Sequence, residues 1–326
     1  MGIKTWQHDR LITGPVQASV SDIEELNRVF SDSFTDRYRR DGMIGVRVPP
    51  LNPDIWRYAI RDAGEGAMLW SDEEGELLAF NMVHYSGVEG WMGPLAVRSD
   101  RQGEGLGKLI VNTAVDWLKD RGATTIGLET MPRTAENIGF YSSLDFRPGY
   151  LTVTMGSPST KHSIAPEYLL LSGPSGSSKA GLLERCRERL NLAAPGYDFT
   201  REHQLTEELG IGDTIIIEEG SEVRGFALWH SAPLANNKGP DEVRILKLFA
   251  DSVDTFEKLI SSTASCAARS GISRVTIRCQ TARKQAYSSL IMRGYQVSWT
   301  DLRMTLDGFE ETDVGEGVVL LSNWEI

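Results

Sequence analysis

Nineteen residues of this chain are written nearly twice. GAMLWSDEEGELLAFNMVH (66–84) lines up with GDTIIIEEGSEVRGFALWH (212–230), an offset of 212 − 66 = 146 that also relates Phe80 to Phe226 and His84 to His230. Each copy reads as a β-hairpin: a β-rich run, a turn of Glu, Gly or Ser, and a second apolar run returning. Further along the offset becomes 270 − 121 = 149. There RGATTIGLE (121–129) matches SGISRVTIR (270–278), and SSLDF (142–146) matches IMRGY (291–295). Matches in one order at nearly constant spacing mean two copies of one architecture.

Each copy follows the same plan. A short strand leads to a helix (22–34 and 182–190), then the hairpin, a strand, a long helix, a strand, a helix and a final strand, PGYLTVTM or SWTDLRMTL. Strands alternating with helices in this way predict an α/β chain with a mixed, α+β-type sheet. A length of 326 residues suits two domains, each able to bury its own core. The turn-rich GSPSTKHSIAP (156–166) marks the joint, giving domains 1–158 and 159–326. SGPSGSSKAG (172–181) reads as a loop inside the second.

Composition narrows the partners. With 45 acidic and 34 basic residues the net charge is −11, which argues against nucleic acid or an anionic membrane. Cys186, Cys266 and Cys279 are too scattered for a disulfide framework or a zinc site, so no metal is expected. The first residues, MGIKTWQHDRLITG, lack an apolar signal core, and the expected location is the cytoplasm.

RQGEGLGKLIV (101–111) is the chemical centre of the sequence. Leu95, Ala96 and Val97 end a strand before it, and a helix with Leu106, Ile110, Ala114 and Trp117 on one face follows until Gly122. A strand, a glycine turn and a helix N-terminus bind phosphate, because free N–H groups and the helix dipole converge there. Glycines let the main chain approach the ligand, and Arg101 and Lys108 add charge. A Walker A loop fails at Gln102 and Leu109, and a dinucleotide fingerprint fails at Lys108. The bland alternative is a turn that merely packs a helix on a sheet.

Gln102, Gly103, Glu104, Gly105, Leu106 and Gly107 match Q/R-x-x-G-x-G/A, and FYSSLDF (140–146) is similar to FYxxLGF with Asp145 for its glycine. Over residues 12–156 the chain thus resembles the GNAT superfamily of acyl-CoA-dependent N-acyltransferases. The resemblance implies two tandem GNAT-like domains and acetyl-CoA as cosubstrate. Its pyrophosphate would lie on residues 102–108, up to Lys108, and its pantetheine arm along Leu95, Ala96 and Val97. Tyr141 would lie near the sulfur and protonate the leaving thiolate; the alternative for it is a core aromatic. The family's Asn position is Thr134 here, and Asn137, one helical turn before Tyr141, is the candidate cofactor contact.

The second copy has DSVDTF (251–256) where the loop belongs, with no glycine and two acids, and Leu290 in place of Tyr141. It resembles a degenerate domain, as in tandem members of the superfamily such as mycothiol synthase, so one active site is expected. An amine must also lose a proton. His84 has a counterpart in His230 and reads as structural. Glu129, opposite Arg278 in the repeat, is the candidate base, and Glu89, read as a loop residue, a weaker one. Residues 36–56 form the expected acceptor loop, with Arg37, Arg39, Arg40 and Arg47 available to an acidic group or simply solvated. The resemblance implies direct transfer of acetyl to a primary amine of a small molecule in a ternary complex. A non-catalytic acyl-CoA sensor or interaction protein, and a mycothiol synthase-like enzyme, are the alternatives. The repeat favours a monomer with an internal pseudo-dimer over a homodimer.

Overall fold

The computed structural model describes residues 12–160, 167–236 and 238–324. The first half runs β1 (Thr13–Gln17), α1 (Ile23–Arg40), α2 (Pro53–Ala63), β2 (Ala67–Ser71), β3 (Leu77–Ser86), β4 (Glu89–Val97), α3 (Leu106–Asp120), β5 (Thr125–Thr130), α4 (Ala135–Ser142) and β6 (Phe146–Pro158). The second repeats that order as β7 (Leu169–Leu170), α5 (Gly176–Ala193), α6 (Thr200–Glu208), β8 (Gly212–Glu219), β9 (Glu222–His230), β10 (Glu242–Ala250), α7 (Val253–Arg269), β11 (Arg274–Gln280), α8 (Lys284–Met292) and β12 (Gln296–Leu306). A further strand, β13 (Val319–Ser322), has no counterpart among the described residues of the first half.

Both repeated hairpins form as expected, β2 with β3 and β8 with β9, each antiparallel. Residues 161–166 of the expected joint lie outside the described residues. Two expected loops are shorter. α1 buries Leu26, Val29, Phe30 and Ser33 at helical spacing and continues to Arg40, where Arg37, Arg39 and Arg40 suit the negative end of the helix dipole. Asn52 then caps α2 by accepting from the Asp54 N–H at 3.0 Å, with Pro53 in the first turn, so the linker spans only 41–52. In 172–181 the helix α5 has already begun at Gly176, drawn on by the burial of Leu182, Leu183, Cys186 and Leu190. That burial overrides the weak helix preference of Gly176, Ser177, Ser178 and Gly181 in its first turns.

Among the described residues all strands belong to one sheet, ordered β1-β2-β3-β4-β5-β12-β6-β11-β10-β9-β8-β7, with β13 on β10. The order contains an exchange. β12, from the second half, completes the first by pairing with β5 (Leu302↔Thr130 to Thr305↔Gly127), and β6 completes the second by pairing with β11 (Gln280↔Thr152 to Arg274↔Pro158). Apolar clusters follow from this. Leu106, Ile110, Ala114 and Leu118 of α3 pack with Ile126 and Leu128 and with Met304 of β12. Val153 and Met155 of β6 join Phe256, Leu259 and Ile277 of the second half. Gly127 is required where it stands, since a Cβ there would lie 2.4 Å from the Trp91 ring.

On the face opposite α3 and α7 the halves meet through buried charge. Arg201 reaches Asp62 at 3.1 Å and the Tyr85 carbonyl at 2.8 Å. The Lys247 ammonium donates to Ser322 at 2.9 Å and stands 3.7 Å from Glu89. Glu202 is wholly buried; one oxygen is bonded to Ser86 and the other has no partner among the described residues. Burial, with the negative charge of Asp62, pushes the Glu202 carboxyl up to about 7. Its stabilising contribution is therefore fully present below the ordinary Glu range and is lost as pH rises through about 7. Glu202→Gln should remove that loss, so that urea unfolding gives the variant a gain over the parent of order 1 kcal/mol at pH 8 that shrinks toward pH 5. A pH-independent difference would contradict this assignment.

Candidate functional site

The glycine loop sits between a 3-10 turn at Ser99–Arg101 and the N-terminus of α3. Gly103 and Gly105 have φ of +86° and +87°, and a Cβ at either would point into open space. Glycine is needed for the backbone angle rather than for lack of room. No side chain caps α3. The N–H groups of residues 102–108 make no hydrogen bond of normal geometry to any acceptor among the described residues. Seven consecutive unengaged donors at the positive end of a helix form an anion cradle. Its side chains hold its shape: Gln102 donates to the Val97 carbonyl at 3.0 Å and accepts from Arg40 at 2.9 Å, and buried Arg101 pairs with Glu104 at 3.0 Å. Lys108 is exposed and has no ion-pair partner among the described residues.

The cradle heads a slot. β4 and β5 pair in parallel only over residues 89–92 and 125–128, and then diverge. Leu95, Ala96 and Val97 keep their pairing to β3 on one edge and, among the described residues, have no strand on the other. On the far side of the slot α4 carries Phe140 and Tyr141, and Phe140 would lie 3.3 Å from a Cβ at Gly107. Tyr141 is buried among Phe140, Phe146 and the core of the first half, and its hydroxyl makes no hydrogen bond among the described residues. Burial pushes its phenol up to about 12, so it keeps its proton throughout the neutral range. Asn137 donates to the Thr130 hydroxyl at 3.3 Å at the end of β5, and Thr134 donates to Asp41 at 2.5 Å. α4 thus meets the loop through Phe140 and the end of β5 through Asn137.

The expected base does not fit its role. Glu129 is bonded to Thr152, to Arg278 and, at 2.8 Å, to Arg303. Burial opposes its charge, but the two guanidinium groups outweigh it and hold the carboxyl below the usual range. A proton acceptor needs a pKa near working pH, and the two guanidinium groups hold Glu129 away from it. Glu89 is not in a loop: it opens β4, fully buried, bonded to Ser322 and to the Trp91 indole at 3.1 Å. His84 places Nδ1 2.5 Å from Asp62 and Nε2 3.1 Å from the Gly93 carbonyl, two acceptors that fix the ring. The arginines expected to greet an acidic acceptor are paired within the protein. Arg37 binds Asp41 and Glu136, Arg39 binds Asp36, Arg40 binds Gln102, and Arg47 binds Asp32. Arg39 and Arg47 line a cleft of about 520 Å³ beside α1, shared with Asp32, Asp36 and Arg98.

Residues 24–146 match the family model described as the acetyltransferase (GNAT) family. They are a GNAT acetyltransferase domain. Within the curated proteins, the tRNA(Met) cytidine acetyltransferase TmcA of Nitrosococcus halophilus is 32% identical over 115 residues, covering 35% of this chain and only 14% of that protein. Two solved structures share the fold over nearly the whole chain. A Pyrococcus horikoshii protein is 16% identical over 99% of this chain and 98% of its own, with a TM-score of 0.67. A tandem GNAT protein from the clavulanic acid biosynthesis pathway is 9% identical over 91% of this chain and 98% of its own, with a TM-score of 0.58. At such identities the likeness is one of fold. It makes the chain a tandem GNAT architecture whose matched domain is the one with the open cradle.

The second half shows what an occupied version looks like. At the N-terminus of α7 the Ser252 hydroxyl accepts from the Thr255 N–H at 3.1 Å, and buried Asp251 accepts from the Thr255 hydroxyl at 2.8 Å. The Thr255 N–H, one of the first-turn donors a phosphate would use, is engaged by the chain itself. No helix among the described residues is long and apolar enough to cross a membrane, and none of their His, Cys, Asp and Glu side chains gather in threes to hold a metal. Asp62, Arg303 and Trp324 were not singled out by the sequence. The one signal for Trp324 was the apolar GVVLLSNW, which continues where the repeat has already ended. Glu129→Gln should lower the unfolding free energy by about 1–3 kcal/mol, because it leaves two largely buried guanidiniums short of a partner. Thermal unfolding unchanged from the parent would show instead that Glu129 is free for other work.

Proposed function

We propose that the chain transfers an acetyl group from acetyl-CoA to the primary amine of a small molecule, in a ternary complex and as a cytoplasmic enzyme. The observation that carries this reading is the run of unengaged N–H groups at residues 102–108, at the head of a slot beside Leu95, Ala96 and Val97. Domain 1–158 would bind the cofactor, and domain 159–326 would serve as its degenerate partner. The pyrophosphate would take the loop amides and Lys108, and the pantetheine arm would take the bare edge of β4, as a strand would. Main-chain N–H groups past the bend at Gly93-Pro94 would polarise the thioester carbonyl. The amine attacks that carbon, the C–S bond breaks, and Tyr141 passes its proton to the departing sulfur. The amine's own proton leaves through water, since Glu129 is committed to Arg278 and Arg303. The strand exchange supports a monomer in which the two halves stand in for two subunits.

Calorimetric titration of acetyl-CoA should give one site per chain, weakened at least about tenfold by Gly105→Glu, which both strains a left-handed backbone and adds negative charge to the cradle. Two sites, or an unaffected variant, would place the cofactor elsewhere. With an amine that turns over, Tyr141→Phe should bind acetyl-CoA like the parent and slow acetylation about 10²-fold or more. Because burial keeps the phenol protonated up to about 12, loss of the acid should not limit the rate on the alkaline side before that pH. Unchanged function in Tyr141→Phe would instead favour a non-catalytic acyl-CoA sensor.

A further inference from the structure

The second half has a slot too, and it is full. β10 and β11 pair in parallel over residues 242–245 and 274–277, the same four-residue ladder that β4 and β5 make. They then diverge in the same way. Where Leu95, Ala96 and Val97 are bare in the first half, β10 is covered over residues 247–250 by β13, antiparallel, from Lys247↔Ser322 to Ala250↔Val319. Val319 and Leu321 face the core of α7, and Leu320 faces the core of α5. The chain therefore lays its own extended segment along the edge that the proposed cofactor arm would use in the other half.

That segment does not stop at the slot. At the point of divergence, the Asn323 N–H donates to the Leu246 carbonyl at 3.0 Å and its amide donates to the Arg278 carbonyl at 2.9 Å. By the offset of 242 − 89 = 153 between the two ladders, Leu246 corresponds to Gly93. Trp324 then crosses into the first half. Its indole N–H donates to Asp62 at 3.2 Å and its ring stacks on His84, with centroids 5.5 Å apart. Lys247 lies 3.2 Å above the ring, and Arg278 donates to the Trp324 carbonyl at 3.3 Å. Trp324 thus packs against the same two groups, His84 and Asp62, that hold the Gly93 carbonyl at the bend where the first slot opens.

We propose that residues 319–324 are a built-in occupant of the second half's cofactor slot, and that from there Trp324 acts as a positioning residue for the acyl-binding bend of β4. It works through His84, whose ring it fixes and whose Nε2 holds the Gly93 carbonyl. The proposal rests on the reading that the first slot takes acyl-CoA. Its consequence is that the two slots are coupled in one chain: filling the second with the chain's own strand shapes the first for its ligand.

The test is acetyl-CoA calorimetry on the full chain with Trp324→Ala and Trp324→Phe, at a temperature where circular dichroism shows both folded. A merely structural Trp324 would lower the melting temperature and leave the affinity of the folded protein unchanged. A positioning Trp324 should weaken acetyl-CoA about tenfold in Trp324→Ala, and less in Trp324→Phe, which keeps an aromatic ring beside His84 and loses the bond to Asp62. Hydrogen exchange should speed up at residues 93–97 and not within α3. Should Trp324→Ala fail to fold, Trp324→Phe decides with the same two readouts. If the parent binds and both folded variants bind equally well, the positioning role is overturned while the cofactor reading stands. If the parent itself does not bind acetyl-CoA, the cofactor reading falls and takes this proposal with it.

Discussion

Everything else in this molecule leans on one ion pair, Glu129 with Arg278. The two residues occupy the same position in the two copies of the repeat, one acidic and one basic. They can touch because β12 and β6 have changed places, which brings β5 and β11 to either side of the same two strands. Arg303 and Asp301 of β12 complete the cluster. Charge in so enclosed a place is costly unless every member is paired, so the cluster fixes the register of the exchange more than it adds stability. A slip of one residue along β12 would turn Arg303 to the opposite face and leave Glu129 and Arg278 without it.

Around that centre the two halves diverge in chemistry while keeping one backbone. The first half spends glycines where the second spends Ser252 and Asp251, and the result is a row of free donors in one and a capped helix in the other. The first leaves the edge of β4 bare where the second covers β10 with β13. The first carries Tyr141 where the second carries Leu290, both buried on equivalent helices. In the proposed function, each difference removes the same capability from the second half: holding a phosphorylated, extended thioester. Duplication supplied two scaffolds, and in the second the chain fills the empty places with itself.

Much of this was legible in the residues. Periodicity and turn chemistry are local, so the repeat, the hairpins and the glycine cradle could be read from spacing, whereas the ligand-lined end of β4 followed only from the family resemblance. FYSSLDF located α4 and Tyr141 in the same way. What was hidden is non-local. No pattern in PGYLTVTM or SWTDLRMTL says which half each strand will finish, because either partner offers the same ladder. Glu129 looked like a base because its neighbours across the exchange were invisible, and Glu89 read as a loop residue for the same reason. The start of α5 inside a Ser/Gly-rich stretch is a case of burial downstream overriding weak local preference.

The exchange also orders events in time. A first domain that owned all its strands could close as soon as its last residue left the ribosome. Here β5 has no outer neighbour until β12 has been made, so the half that carries the cradle stays unfinished until the second half has been synthesised as far as Leu306. Its contacts are distant in sequence, and such pairings form late and slowly. A chain released early would therefore carry the glycine loop and Tyr141 yet present an open strand edge rather than a half-sized enzyme.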